Sequence, residues 1–277
     1  MPTLQNHDYS ITFACFNQLE YTKRCVQSLI DTGTDLGRLV VVDNLSSDGT
    51  QDYLRSLPLG TVIYNKQNFG CGVAWNQGAL ALQTEWTIVM NNDVVVAPGW
   101  LDGLIECARS HQLKVVSPAM IEGELDYDLS TFAAEASQKL GARARYGQPH
   151  AVCMAIHASV WQAVGFFRAT PKLLGYEDGI FFAALRRESL ATGTVSSAWI
   201  HHFGSVTQKA LKLERGLKSS QGLGDRFHPE LGRQAWLSRK LNKMKRRAQQ
   251  EAYREEELAH AGLTMHGERA NGAFRWI

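Results

Sequence analysis

The feature that most constrains this chain is the rhythm of its first half, where short β-branched runs alternate with helical stretches. SITFACF precedes a helix expected near Tyr21–Asp31, RLVVVDN one near Thr50–Leu57, and GTVIYN one near Cys71–Gln83. Strands and helices in strict alternation predict a parallel α/β sheet, since parallel neighbours need a long crossover between them. The next run, WTIVMNND, turns from apolar to polar at its expected carboxyl end. Ligands of open α/β sheets bind along that edge. A helix at Trp100–Ser110 and a strand LKVVSPAMI follow, then a polar, less regular segment from Glu122 to Pro149 that is expected to shape a second substrate site. AVCMAI, a short helix at Ala158–Val164, GYEDGIFFAALRR and a strand TGTVSSAWIHHF complete the unit. Beyond Gly204 the character changes: Lys, Arg, Gly and Ser mix from Lys209 to Arg226, and a charged helix is expected from Gln234 to about His260. These shifts predict a catalytic domain over 8–207, a mobile lid over 208–232 and a helical extension over 233–277.

Composition narrows the class. In 277 residues, 44% hydrophobic content suffices for one substantial core, and a net charge of +2 argues against a general polyanion-binding surface. Five cysteines, none in a C-x-x-C spacing, suit a reducing cytosol. The N-terminus lacks a basic region followed by an apolar one, and the most apolar stretch, Ala151 to Phe167, is broken by His157, Ser159 and Gln162. Neither a signal peptide nor a membrane span is expected.

Four segments carry candidate chemistry. In LVVVDNLSSDGT, Asp43 and Asn44 end a strand before a turn of small polar residues. The plainer reading is a turn and helix cap; the sharper one has Asp43 accepting hydrogen bonds from a nucleoside. NNDVVVAP puts Asp93 at a strand mouth, where one carboxylate can help hold Mn2+ or Mg2+ against a diphosphate, phosphate and water filling the other positions. In GYEDGIFFAALRR, Glu177 and Asp178 open a helix; capping explains one of them, and the other can act as a general base in a cleft. His201 and His202 end a strand, so alternation sends them to opposite faces, and His202 is the one favoured for the site.

Taken in order, these segments resemble the inverting family-2 glycosyltransferases of GT-A fold, of the rhamnosyltransferase-like, polysaccharide-biosynthesis type, from about Ser10 to Thr207. SITFACFNQLEYTKRCVQSL looks like that family's opening strand and helix, LVVVDNLSSDGT like its nucleotide-binding turn, and NKQNFGCGVAWNQGAL like its Asn- and Gly-rich stretch. NND stands in the place of its Asp-x-Asp, with Asn91 where the first aspartate is often found, and HFGSVT in that of a late His-containing motif. The resemblance implies a single Rossmann-like domain with a mostly parallel sheet and a C-terminal helical extension. It implies donor contacts at Phe16, Asn17, Glu20, Asp43, Asn44, Asn68, Gly70, Asn76, Asn91 and Asn92, and a divalent cation, Mn2+ or Mg2+, at Asp93 and His202. Asp178 is then the base with Glu177 as competitor, and Lys209, Lys212 and Arg215 belong to a loop closing over the donor. The donor would be a UDP-, dTDP- or GDP-sugar and the acceptor a glycan or lipid-linked sugar.

The C-terminal stretch sets Trp236, Leu237, Leu241, Met244 and Ala248 on a stripe beside Arg239, Lys240, Lys243, Lys245, Arg246 and Arg247. Two readings balance: a basic helix resting on the inner face of a membrane, or one packed on protein. Rival functions are a nucleotidyltransferase, disfavoured because ACFNQLEYTKRC lacks glycine, and a non-catalytic nucleotide- or carbohydrate-binding module, disfavoured by the two acids at 177–178. Nucleic acid is not an expected partner.

Overall fold

The structure is a computed structural model and describes residues 8–169, 177–204, 206, 209–210 and 236–277. The expected lid over 208–232, including Lys212 and Arg215, therefore lies outside the described residues except for 209–210. Among the described residues the chain runs β1 (Tyr9–Cys15), α1 (Leu19–Asp31), β2 (Leu39–Asp43), α2 (Thr50–Arg55), β3 (Thr61–Tyr64), α3 (Cys71–Ala81), β4 (Trp86–Asn91) and β5 (Val94–Val96). It continues with α4 (Trp100–Ser110), β6 (Val115–Gly123), α5 (Leu129–Leu140), β7 (Ala144–Tyr146), β8 (Cys153–His157), α6 (Ala158–Val164), α7 (Glu177–Arg187) and β9 (Thr192–His202). The last elements are α8 (Trp236–Ala261), β10 (His266–Ala270) and β11 (Ala273–Trp276).

One curled, mixed sheet results, in the order β11-β10-β6-β8-β4-β1-β2-β3, with β9 pairing β5, β6 and β7. The expected parallel arrangement holds across β3, β2, β1 and β4, whereas β8 runs antiparallel to both β4 and β6. All five residues of β2 are buried, as are the first five of β4, which is what continuous apolar runs covered by helices on both faces require. The register aligns the strand ends: Cys15 pairs Asp43 and Ala14 pairs Asn91, so β1, β2 and β4 finish at one edge. Helix α3 lies directly on β1 at Gly78, where an added Cβ would sit 1.9 Å from Thr12 Oγ1. Only glycine permits that approach, and it fixes the N-terminus of α3 over the edge where the strands end.

The segment expected to be irregular after Glu122 is more ordered than its composition suggests. Asp128 caps α5 by accepting from Thr131 N at 2.6 Å, and β7 pairs with β9. The C-terminal region also holds more than a helix, since β10 joins the sheet parallel to β6, with His266 opposite Met120, and β11 completes a hairpin. The last turns of α8 pack on the protein, while residues 244–252 are exposed, Met244 among them. Side chains of the stripe before Met244 lie outside the described residues. No described helix is long and apolar enough to cross a membrane.

What fastens this extension is a buried ion pair. Arg145 Nε and Nη2 donate to the two Glu257 carboxylate oxygens at 2.6 and 2.7 Å, and Glu257 also accepts from Met265 N at 2.8 Å. Both side chains are almost fully enclosed. Removing one partner strands a charge in the interior. Glu257→Ala should therefore cost about 3–5 kcal/mol in chemical denaturation, against about 1 kcal/mol or less for Asp52→Ala at the exposed Arg55 pair. Equal losses in the two variants would mean that the ion pair does not clamp the extension.

Candidate functional site

The chain turns out of β4 through Asn91, Asn92 and Asp93 and returns as β5, whose register on β9 sets Val94 opposite His202. Asp93 is locked there by its carbonyl, which accepts from Phe203 N at 3.1 Å, and by Oδ2, which accepts from Val206 N at 3.0 Å. His202 Nε2 lies 3.4 Å from Asp93 Oδ1, and its Nδ1 lies 3.6 Å from Glu122 Oε2 at the end of β6. Asp93 and His202 are 3% and 2% exposed, so these charges meet largely out of water. Burial alone would lower the His202 pKa, but Asp93 and Glu122 outweigh it and raise it to about 9. Burial likewise disfavours the Asp93 carboxylate, yet His202 and the Val206 N–H hold it below its ordinary range. His202 holds Glu122 low as well, with His266 and Lys209 adding to the effect. At neutral pH an imidazolium thus sits between two carboxylates.

Alternation separates the two histidines as expected. His201 faces away, its ring nitrogens engaged by Tyr127 Oη at 3.0 Å and the Gly123 carbonyl at 3.1 Å. Burial pushes it down to about 4, so it is a neutral structural group.

The acidic pair occupies the first turn of α7, half-buried. Phe181 of that helix packs 4.4 Å from Phe167, which in turn packs 5.2 Å from Trp75 of α3. At Gly72 an added Cβ would meet the Cβ and Cγ of Glu177 at 3.1 Å, so the first turns of α3 and α7 touch. Between them sits Cys71, whose thiol is pushed up to about 12 by burial first, then by Glu177, Asp93 and Asp178. All three carboxylates therefore lie within electrostatic reach of one sulfur. The two acidic segments, distant in sequence, converge at the N-terminus of α3.

The residues expected to contact a nucleoside divide into two groups. Phe16, Asn17 and Asn91 are half-buried at the shared strand edge, and Asn17, at φ 54°, accepts from Ser47 N at 2.8 Å and so ties the β1 and β2 loops together. Asn44 accepts from Asn65 Nδ2 at 2.8 Å, and Asn68 Oδ1 accepts from Gly70 N at 2.9 Å, which shapes the turn into α3. Asp43 is fully enclosed, accepting from Ser46 N and from Gln51 Nε2 at 2.7 Å, so in this structure the plainer turn-forming reading describes it. Asn76 clamps both backbone groups of Phe167, and Asn92 donates to Thr22 Oγ1 at 2.9 Å. In this structure all three side chains are engaged in hydrogen bonds within the protein. Glu20 is exposed and paired with Lys23. Sequence reading overlooked Glu122, whose signal was its place at the carboxyl end of a strand alongside β9.

Among the described residues no three His, Cys, Asp or Glu side chains are arranged so that all could hold one metal ion. Asp93 and His202 nevertheless fit a cation that takes the rest of its shell from phosphate and water. Their 3.4 Å separation is close to the roughly 3 Å between adjacent ligands in an octahedron with bonds of about 2.1 Å. Glu122 stands behind His202 as carboxylates stand behind metal-bound imidazoles.

The sequence model for glycosyl transferase family 2 matches residues 10–169. No curated protein sequence matches the chain. Similar solved structures include GalNAc-T7 with UDP, GalNAc and Mn2+, at 15% identity and TM-score 0.57, covering 72% of this chain and 44% of that one. Mannosyltransferase PcManGT from Pyrobaculum calidifontis, in complex with GDP-Man and Mn2+, is 14% identical with TM-score 0.56, covering 78% and 63%. TarS 1-349 of S. aureus in complex with UDP-GlcNAc is 15% identical with TM-score 0.54, covering 70% and 58%. This chain thus spans between 44% and 63% of their lengths, and the likeness is one of fold, GT-A.

His202 gives the site a pH signature. Because its folded pKa is raised to about 9, its contribution to stability is complete below the ordinary value near 6.5 and is lost as pH rises through about 9. NMR of the His202 ring in metal-free protein should show that midpoint, falling in Asp93→Asn. A wild-type midpoint at or below 6.5 would contradict the ion-paired geometry.

Proposed function

The chain belongs to glycosyl transferase family 2, and from that premise we propose that it moves a sugar from a nucleoside-diphosphate donor to an acceptor hydroxyl with inversion at the anomeric carbon. The observation that carries this reading is the convergence of Asp93 and His202 with Glu177 and Asp178 around the start of α3. Solved structures of the same fold that hold UDP or GDP-Man with Mn2+ support the choice of donor class and cation.

In this reading the acceptor oxygen attacks the anomeric carbon from the face opposite the diphosphate. The bond to the diphosphate oxygen breaks with its electron pair, and Asp178 takes the acceptor proton. Glu177, whose Cβ and Cγ lie against Gly72, is the competitor for that role and otherwise braces the contact between α7 and α3. A bound Mn2+ or Mg2+ would supply positive charge beside the leaving diphosphate. Asp93 would be the carboxylate to hold it, and His202, as a neutral imidazole, would be a second ligand. Phe16, Asn17, Asn44, Asn68, Gly70 and Asn91 form the donor's surroundings, on walls set by Asp43, Asn76 and Asn92. Lys209 stands beside Gly204 and Glu122, in reach of the same edge. Glycan assembly for the cell envelope or for secretion, at the cytoplasmic face, is the setting a lipid-linked acceptor would give. The non-catalytic binding module remains the rival that the same experiment decides.

Thermal shift and nucleoside-diphosphate release should be recorded with UDP-, dTDP- and GDP-sugars under Mn2+, Mg2+ or chelator. One nucleotide family at about 100 times its Kd should add roughly 2.7 kcal/mol, a shift of several degrees, and Asp93→Ala should abolish it. Asp178→Asn should keep binding and lower release about 10²- to 10⁴-fold. Titration calorimetry in buffers of different ionisation enthalpy should show about one proton released as metal and nucleotide bind at pH 7, because imidazolium must deprotonate to ligate. Binding without release in the wild type favours the module; no binding at all sinks both.

A further inference from the structure

A cavity of about 1050 Å3 opens between α7, α8 and the C-terminal hairpin, and six arginines line it. Three have acidic partners: Arg145 with Glu257, Arg254 with Glu251, and Arg275 with Glu268. Arg186 on α7 and Arg246 and Arg247 on α8 pair with no carboxylate among the described residues. Arg186 is held below its ordinary range by partial burial and by the positive charge of Arg246 facing it. Three exposed guanidinium groups thus border one concave surface without an ion pair of their own among the described residues, with Glu251 and Glu268 on the same lining already paired to Arg254 and Arg275. Such an arrangement gains from a bound anion.

The floor is chemically different. Gln148, His150 and His266 line it, and Gln148 Nε2, His150 Nδ1 and His266 Nε2 are enclosed without hydrogen-bond partners among the described residues. His150 Nε2 meets the Pro118 carbonyl at 2.8 Å, and burial keeps the ring neutral, pushed down to about 4. The proton therefore sits on Nε2, and Nδ1 presents a lone pair. Gln148 Nε2 presents a donor. A donor and an acceptor two residues apart on the same lining suit hydroxyl groups, which both give and take hydrogen bonds, once a small side-chain shift opens the enclosed atoms to the cavity. Buried polar atoms left unpaired are costly, and a bound ligand removes that cost.

The floor adjoins the catalytic edge, because His150 and His266 both interact electrostatically with Glu122 and His202. Helix α7 makes a second connection. Asp178, Phe182 and Arg186 are spaced four apart and share one helical face, and the last two line the cavity. From Asp178 to Arg186 the helix rises about 12 Å, room for one sugar ring with a charged group beyond it.

We propose that this cavity is the acceptor site and that its ligand is a sugar bearing a phosphate or diphosphate, hydroxyls over Gln148 and His150, charge among Arg186, Arg246 and Arg247. The assignment to an acceptor rests on the glycosyltransferase reading above; the anion site itself does not. It also favours Asp178 over Glu177 as the base, since Asp178 shares the face that runs into the cavity.

Binding of inorganic pyrophosphate should be measured by calorimetry in chelator, which silences a metal-dependent donor site, for wild type, Arg186→Gln/Arg246→Gln and the remote control Arg55→Gln. The double variant should bind at least about tenfold more weakly, the control as wild type. Gln148→Leu should weaken glucose 1-phosphate severalfold and leave pyrophosphate unchanged. Unaltered UDP–Mn2+ thermal shifts would establish that the variants are folded with an intact donor site. Geranyl diphosphate binding more tightly than pyrophosphate assigns the anion to a lipid-linked acceptor; equal binding assigns it to a water-soluble sugar phosphate. If pyrophosphate fails to bind the wild type, or binds the double variant equally well, the proposal is overturned whatever the donor does. If pyrophosphate binds through the arginines while no nucleotide binds, the anion site stands and the glycosyltransferase reading falls.

Discussion

The register of β5 on β9 is the constraint on which the rest of the site depends. It sets Val94 opposite His202 and so buries the Asp93 carboxylate against an imidazole. Shifting β9 by one residue would bring His201 to that position and send His202 among the aromatic rings around Tyr127. Contacts outside the strand hold the register: Ser197 Oγ donates to Gly103 O, and Ser196 Oγ donates to Gly141 O. These anchors lie upstream on the same strand. The strand is thus fixed where chemistry is absent, so that its end is fixed where chemistry is needed.

Much of the fold was legible because hydrophobic periodicity and strand-end polarity are local signals. LVVVD reads as a fully buried strand and is one; Trp100–Ser110 and Ala158–Val164 read as helices and are helices. The hairpin 266–276 was not legible, since HGERA and AFRW have neither length nor alternation enough to stand apart, and only pairing with β6 makes them strands. That is a tertiary effect. Residues 122–149 misled for the opposite reason, their polarity belonging to an exposed helix face and its Asp128 cap.

The site divides in the same way. Asp93, His202, Glu177 and Asp178 stand out as candidates because two acids open one helix where capping explains only one, and because Asp93 and His202 end apolar strands. Asp43, Asn76 and Asn92 illustrate the converse, since short polar side chains also organise turns, and sequence does not say which of the two tasks consumes their hydrogen bonds. Asn76 spends both ends of its amide on Phe167. By holding Phe167 it holds Phe181, and with it the helix that carries the acidic pair. Its importance to the site is mechanical, which no motif expresses.

The C-terminal extension gains its meaning from the same argument about charge. Arg246 and Arg247 are exposed, and water solvates their guanidinium groups, so exposure alone gives them no role. Here, however, Arg145 and Glu257 bind the far end of α8 to the sheet, and that attachment carries Arg246 and Arg247 toward Arg186. The interior ion pair is satisfied on both sides, whereas the three arginines above it are not. Stability accounts for the first and not for the second. An unneutralised cluster maintained by a rigid clamp, over a floor of unpaired polar atoms and on the helical face that begins at Asp178, has the organisation of a binding surface.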